Sequence, residues 1–434
     1  MISRRSFMRV AAGAAGFSPL ALGQRGQAPA LTGPLPPSIA ALQSMTDLVR
    51  PFTDAEREAR VEKARQLMAL EKIDAIVLTG GASAQYFANV TFGGGERLWA
   101  MVIPAKSSPF FVCPAFEEGR AREILASTPF GKDPDVRVFQ EDENPYARLI
   151  QGLKDRGFTR GRIGVEETTK FVFADGIAQA GKPAFQTVSA TPITAGCRMI
   201  KDAHEIECLR IAGQATIRVY EAVYKALAEG MTQRDVSGLI EAGYARVGFP
   251  GEASLNIGEY TASPHGSRTP QTIRQGTILM LDDGCRVQGY TSDITRTFVL
   301  GKPTDKMLQV FDIVQRAQKA ALDAAKPGAP NESVDAAARK VIVDASYGPG
   351  FTYFTHRVGH GLGTEMHEWP YLVKNNMYGW PVNPTLRAGM VFSDEPGIYI
   401  RGEFGIRLED DLHVTDTGAE LLTSPSPSLE HPFG

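Results

Sequence analysis

Two separated stretches of this chain repeat one pattern. A strand ends in a carboxylate, a glycine-bearing turn follows, and the returning strand carries a second carboxylate. Residues 277–282 and 290–299 form the first such stretch, and residues 390–395 and 406–409 the second. In an antiparallel hairpin, pairing Asp282 with Asp293 centres the first turn between Val287 and Gln288. Pairing Glu395 with Glu409 centres the second on Gly402. Facing side chains in a sheet stand about 4.5–5.5 Å apart at Cβ, so each hairpin is expected to set two carboxylates side by side. A helix pair precedes each hairpin: residues 203–229 and a helix opened by Thr232, then residues 304–326 and 331–347, with breaks at Gly230 and Gly328. Thr232 with Asp235 reads as a capping-box start. The later half of the chain is therefore expected to be one domain made of two related halves, bringing four carboxylates together. Such groups raise one another's pKa unless a cation joins them. Oxygen-rich ligation with one imidazole suits Mn²⁺, Fe²⁺, Co²⁺ or Zn²⁺.

The imidazole has a clear source. Of seven histidines, His356, His360 and His367 fall in one glycine-rich segment. The spacing of His356 and His360 invites a helical zinc reading. That motif needs a glutamate after its first histidine, and Arg357 stands there. Gly359, Gly361 and Gly363 also oppose a helix. The segment reads instead as backbone that lets histidines approach a metal or a substrate closely. His265, in a Ser-Pro-His-Gly turn, joins them from upstream.

Residues 53–197 have another texture. Helical spacing over 53–71 alternates with strands over 73–78, 101–103, 110–112 and 162–165, which implies a small α/β domain. Gly93, Gly94 and Gly95 read as a turn, and no GxGxxG follows a strand, so a dinucleotide site is not supported. The 46 basic and 49 acidic residues leave a formal charge of −3, which argues against a nucleic-acid partner. The four cysteines are scattered without CxxC, arguing against a disulfide framework or a thiolate metal site.

The first residues read as an address. Arg4, Arg5 and Phe7 precede an uncharged apolar run over 10–22. That run is too short for a bilayer, which needs about 20 residues. The pattern is an export signal, and its arginine pair resembles the twin-arginine type. The expected divisions are a signal over 1–23, a Pro/Gly-rich linker or arm over 24–50, an α/β domain over 51–198, a catalytic domain over 199–425 and a tail over 426–434. The precursor would meet the twin-arginine export machinery, and the mature protein would work in the periplasm or outside the cell. No cysteine near the cleavage region offers a lipid anchor, so no stable membrane attachment is expected. Losing Arg4, Arg5 and Arg9 and no acid takes the formal charge from −3 to −6.

The segments 281–298, 359–363, 394–399 and 405–411 together resemble the pita-bread metallopeptidases, in the aminopeptidase P, prolidase and creatinase branch. The resemblance covers about residues 50–425. It implies an α+β chain: a C-terminal pita-bread domain with pseudo-twofold helix-pair and hairpin halves, preceded by a smaller creatinase-type α/β domain. It implies two divalent metal ions per chain, Mn first, with Zn, Co or Fe as alternatives. Asp282 would bind one metal, Asp293 and Glu409 would bridge both, and His360 and Glu395 would complete the set. Glu395 would also move the proton for a hydroxide that bridges the metals. His265, His356 and His367 match substrate-site positions that would hold the scissile carbonyl and stabilise its oxyanion. Arg407 would orient a carboxylate or support Asp293. All five ligand positions are filled, against a metal-free creatinase-type site. Asp283 departs from the small or apolar residue of the family. The implied activity is that of an Xaa-Pro aminopeptidase or dipeptidase acting on proline-containing peptides, and the implied assembly a homodimer or homotetramer. A metal-dependent lyase or hydrolase of a small non-peptide molecule, and an inactive binding module, stay open as alternatives.

Overall fold

Thr53 opens the first long helix. Its Oγ1 accepts the Glu56 N–H at 3.2 Å, and the Glu56 carboxylate accepts the Thr53 N–H at 2.7 Å. This capping box satisfies two donors that a helix start leaves free and begins α1 (Asp54–Glu71). In the computed structural model, residues 33–91, 95–374 and 385–433 are described. The expected export signal and the glycines 93 and 94 lie outside the described residues.

The apolar run after α1 forms β1 (Ala75–Leu78), buried along its whole length. It sits inside a mixed six-stranded sheet in the order β4-β3-β2-β1-β5-β6. The other strands are β2 (Ala100–Pro104), β3 (Phe110–Pro114), β4 (Val136–Phe139), β5 (Gly161–Val165) and β6 (Phe185–Ser189). Strand alternation sends Ile76 and Leu78 to one face, against Val61, Ala64 and Met68 of α1. Ala75 and Val77 face the other side, against Leu149, Leu153 and Ile177. The helices that cover the sheet are α2 (Gly81–Ala88), α3 (Glu118–Leu125), α4 (Pro145–Lys154) and α5 (Phe171–Gly181). The pattern reading missed β4 and β6. Both are edge strands that bury little of their length, so neither shows a continuous apolar run.

Helix α6 (Thr191–Met199) packs between α1 and the second domain. There, α7 (Ala203–Tyr224) and α8 (Gln233–Val247) form the first helix pair, both opened by capping boxes, with Thr232 and Asp235 at α8. Helix α7 ends at Tyr224 rather than near residue 229. The second pair is α9 (Asp305–Ala324) and α10 (Glu332–Asp344). One core lies under the first pair, around Leu209, Val219, Leu239, Leu279 and Leu281. Another lies under the second, around Val314, Ala338, Phe392, Ile406 and Leu412. Residues 33–50 do not hang as a free linker. Ile39 and Met45 are buried in the first core, Ser38 Oγ donates to the Ala222 carbonyl at 2.7 Å, and Arg246 donates to the Ala40 and Leu42 carbonyls at 3.0 Å. Cys113, Cys197, Cys208 and Cys285 are buried free thiols. Among the described residues, no helix is long and apolar enough to cross a membrane.

The chemistry-bearing strands form two hairpins. In the first, β8 (Thr277–Asp282) pairs with β11 (Arg296–Leu300), Leu281 opposite Arg296. The short strands β9 (Arg286–Val287) and β10 (Tyr290–Thr291) continue the same register, Val287 opposite Tyr290. The expected facing of Asp282 and Asp293 is therefore corrected by two residues: this register sets Asp282 opposite Thr295. The turn residues are Gln288 and Gly289, at φ 50° and 92°. A two-residue hairpin turn of this hand needs positive φ at both positions, which β-branched Val287 resists. A shift of two preserves the face, so both carboxylates still point the same way. In the second hairpin, β14 (Val391–Asp394) pairs with β17 (Asp410–Val414), and β15 (Gly397–Ile400) with β16 (Phe404–Arg407). Both ladders hold the expected register about Gly402, whose φ is 78°. Glu395 and Glu409 sit at the break between the ladders. Strand β7 (Ser254–Ile257) flanks β8, while β12 (His360–Gly361) lies between β13 (Glu368–Tyr371) and β14 in a sheet completed by β17 and β18 (Ala419–Leu421).

Candidate metal centre

The two hairpins and the glycine-rich strand meet at one cleft of about 590 Å³, lined by Asp282, Asp293, Glu395, Glu409 and the histidines 265, 356, 360 and 367. Two three-residue sets have donor atoms within 4.8 Å of one another: Asp282, Asp293 and Glu409, and His360, Glu395 and Glu409. Glu409 belongs to both sets. A third set joins Asp293, His360 and His367.

Burial, followed by repulsion from Asp282 and Glu395, holds the Asp293 carboxyl well above the usual carboxylate range. Burial and the charge of Asp293 do the same to Glu409. Glu395 is pushed up to about 7 by burial, against the opposing pull of Arg407. Carboxylates crowded in this way call for a cation. His360 is ready to serve one. Its Nδ1 stands 3.2 Å from the Gly361 carbonyl, an acceptor, so Nδ1 carries the proton. The Nε2 lone pair then faces Glu395 at 3.4 Å and Asp293 at 3.6 Å. A backbone carbonyl that fixes the tautomer is the usual partner of a ligating histidine. Burial, then His367, holds His360 well below the normal histidine range, so it is neutral. The donor set fits divalent cations.

The surrounding residues hold these groups in place. Thr295 Oγ1 lies 2.7 Å from Asp282 Oδ1 and 2.5 Å from Glu409 Oε2, bridging the hairpins. Ser393 Oγ accepts the His360 N–H at 3.1 Å and donates to Glu395 Oε1 at 3.2 Å. The buried Asp411 carboxylate accepts the Asp293 N–H at 3.2 Å. None of these three was singled out from the sequence. Period-two spacing from Asp293 to Thr295, and from Ser393 to Glu395, was the available signal.

The structure places three further residues. Arg407 orients a carboxylate, one of its two expected roles: its guanidinium pairs with Asp282 and donates to Thr295 Oγ1 at 2.9 Å and Tyr399 Oη at 3.0 Å. His356 also lines the cleft, where its Nδ1 meets the Arg357 carbonyl at 2.8 Å and its Nε2 meets Tyr399 Oη at 2.7 Å. Burial and Arg407 push its pKa down to about 3, so it is neutral with both nitrogens engaged. Asp283, at φ 112°, accepts the Ser254 N–H at 3.0 Å. Aspartate tolerates positive φ better than most residues, and this one ties β7 to the kink after β8. His367 stacks on His360 with ring centroids 3.6 Å apart. His265 stands in an exposed turn that also borders a second cleft of about 710 Å³.

Residues 207–416 match metallopeptidase family M24, and residues 60–200 match the creatinase/prolidase N-terminal domain. A putative dipeptidase of Bacillus subtilis, YkvY, is 35% identical over 76% of this chain and 87% of its own length. An Xaa-Pro dipeptidase of Lactobacillus delbrueckii subsp. lactis is 31% identical over 85% of this chain and 98% of its own. The crystal structure of dipeptidase PepE from Mycobacterium ulcerans superposes with a TM-score of 0.79 at 32% identity, covering 88% of this chain and 99% of that one. The pita-bread α+β architecture, the paired acidic hairpins and these similarities make this chain a member of metallopeptidase family M24, with a creatinase/prolidase-type N-terminal domain.

Proposed function

We propose that this chain hydrolyses the peptide bond between an amino-terminal residue and proline, using a pair of divalent cations held by Asp282, Asp293, His360, Glu395 and Glu409. When bound, such cations supply Lewis acidity and lower the pKa of water toward neutrality. The observation that carries the reading is the meeting of two donor sets on one shared carboxylate, Glu409. Similarity to proteins named Xaa-Pro dipeptidases supports the substrate.

The chain's own groups have separate tasks. Glu395 Oε1 is steadied by Ser393 and its Oε2 lies 3.6 Å from the His356 ring. Glu395 is the group placed to take a proton and return it to the leaving nitrogen. His367 and His265 line the cleft, where they would face the scissile carbonyl. A donor aimed at the developing oxyanion is worth about 3 kcal/mol. Arg407, Tyr399 and His356 form a hydrogen-bonded chain that fixes the wall beside Asp282. The oxygen-rich donor set favours Mn²⁺, with Zn²⁺, Co²⁺ and Fe²⁺ as competitors. The family resemblance supports a homodimer or homotetramer as the working form.

A peptide panel tests the reading: Xaa-Pro, Xaa-Pro-Yaa and matched Xaa-Ala controls, each with Mn²⁺, Co²⁺ or Zn²⁺. Cleavage confined to the proline peptides is expected. Equal cleavage of the alanine controls, or none of either, refutes it. The arginine pair supports export of the folded precursor to the periplasm or beyond. Fractionation of cells expressing the double variant Arg4→Lys, Arg5→Lys should find uncleaved precursor in the cytoplasm. Normal export of that variant refutes the twin-arginine route.

A further inference from the structure

A buried ion network joins the two domains, and no step above uses it. Lys201 Nζ donates to Glu368 Oε1 at 2.7 Å, with the two side chains 0% and 2% exposed. Arg198, at the end of α6, pairs with Glu365 Oε2 at 2.8 Å through Nη2. Its Nη1 stands 3.4 Å from Thr364 Oγ1 and 3.8 Å from Glu368 Oε2. Beyond Arg198 lies Glu166, whose carboxyl burial pushes up to about 7. Next to Glu368, the Trp369 indole donates to Glu167 Oε1 at 3.3 Å. Arg198 and Glu167 of the N-terminal domain, with Lys201 at the start of the catalytic one, thus hold both sides of a single residue, since Glu365 and Glu368 bracket His367.

The backbone is built to permit this grip. A Cβ on Gly363 would meet Glu368 Oε1 at 2.6 Å and Lys201 Cε at 3.0 Å, so a side chain there would push the ion pair apart. The Gly363 carbonyl accepts the Thr291 N–H at 2.9 Å, which ties the turn to the first hairpin. A buried ion pair is weak as a source of stability but strict about geometry. Catalysis is sensitive to small misplacements of a positioned group. We propose that Arg198 and Lys201 are positioning residues for the reaction, holding the 363–369 turn so that the His367 ring stays over His360 at the cleft. This rests on the reading of His367 as a group facing the substrate.

The test uses the full, metal-reconstituted chain. Arg198→Met, Lys201→Met and Glu365→Gln are made in wild-type and in His367→Ala backgrounds. Each is read by kcat and KM on an Xaa-Pro peptide, by metal content, and by the NMR resonance of the His367 ring where that ring is present. With metal content unchanged, Arg198→Met and Lys201→Met are expected to lower kcat by about tenfold or more and to move the ring resonance. In the His367→Ala background they should change kcat by less than about twofold, because groups acting through one another are not additive. An equal loss in both backgrounds, or an unmoved ring resonance in a folded variant, overturns the proposal. If Lys201→Met does not fold, Arg198→Met and Glu365→Gln decide, since Glu365 is 37% exposed and glutamine keeps an acceptor for the buried Arg198. A wild-type protein without Xaa-Pro turnover would defeat the substrate reading. The ring resonance would still decide the positioning.

Discussion

Glu395 shows how a single residue ties the electrostatics of the centre to its use. Its carboxyl is raised to about 7 by burial, so without a cation it stays protonated up to roughly that pH. Cation binding must expel the proton, and apparent affinity should therefore fall as pH drops below about 7. Calorimetric titration of the metal-free protein with Mn²⁺, in buffers of different ionisation enthalpy, should show more proton release at about pH 6 than at about pH 8. Affinity and proton release that are flat across that range would contradict the assignment. Acids at the ends of apolar strand runs, repeated in two hairpins, stand out, so Asp282, Asp293, Glu395 and Glu409 are legible as candidates in the sequence. Thr295, Ser393 and Tyr399 are not, because a hydroxyl in a strand is ordinary and only its neighbours in space give it a task. The Tyr399 partner of His356 is hidden for the same reason, since the two meet only in the fold.

The glycine-rich strand β12 makes the same point for elements. In sequence, Gly359, Gly361 and Gly363 around it read as room for histidines to approach a metal. They chiefly allow strands to approach each other: a Cβ on Gly359 would lie 1.8 Å from the Ser393 carbonyl oxygen, and one on Gly361 2.2 Å from that of Trp369. Gly359→Ala should therefore displace β12 from β14, cost about 1–3 kcal/mol or more, and weaken metal binding by moving His360. Gly418→Ala, which meets nothing within 4 Å, is the control. Denaturant unfolding and metal titration of both variants check this, and equal behaviour of the two would contradict it. The hairpin registers were legible to different degrees. The second turn is marked by a glycine at its centre. The first depends on positive φ at Gln288, which residue identity does not announce.

At the scale of the molecule, the repeated helix pair and hairpin were visible as a repeat because each half has its own capping and breaking residues. The edge strands β4 and β6 and the packing of residues 33–50 into the first core were not, since both depend on what lies beside them. The domains meet where the N-terminal one grips the turn that carries His367, so the smaller domain borders the chemistry rather than standing apart from it. The central claim is that two cations share Glu409. Elemental analysis of the purified protein after Mn²⁺ reconstitution tests this most directly. The account predicts about two divalent ions per chain, as a two-metal site requires, falling to one or none in Glu409→Ala with the fold retained. A single ion in the wild-type protein, or two ions undisturbed in Glu409→Ala, would contradict it.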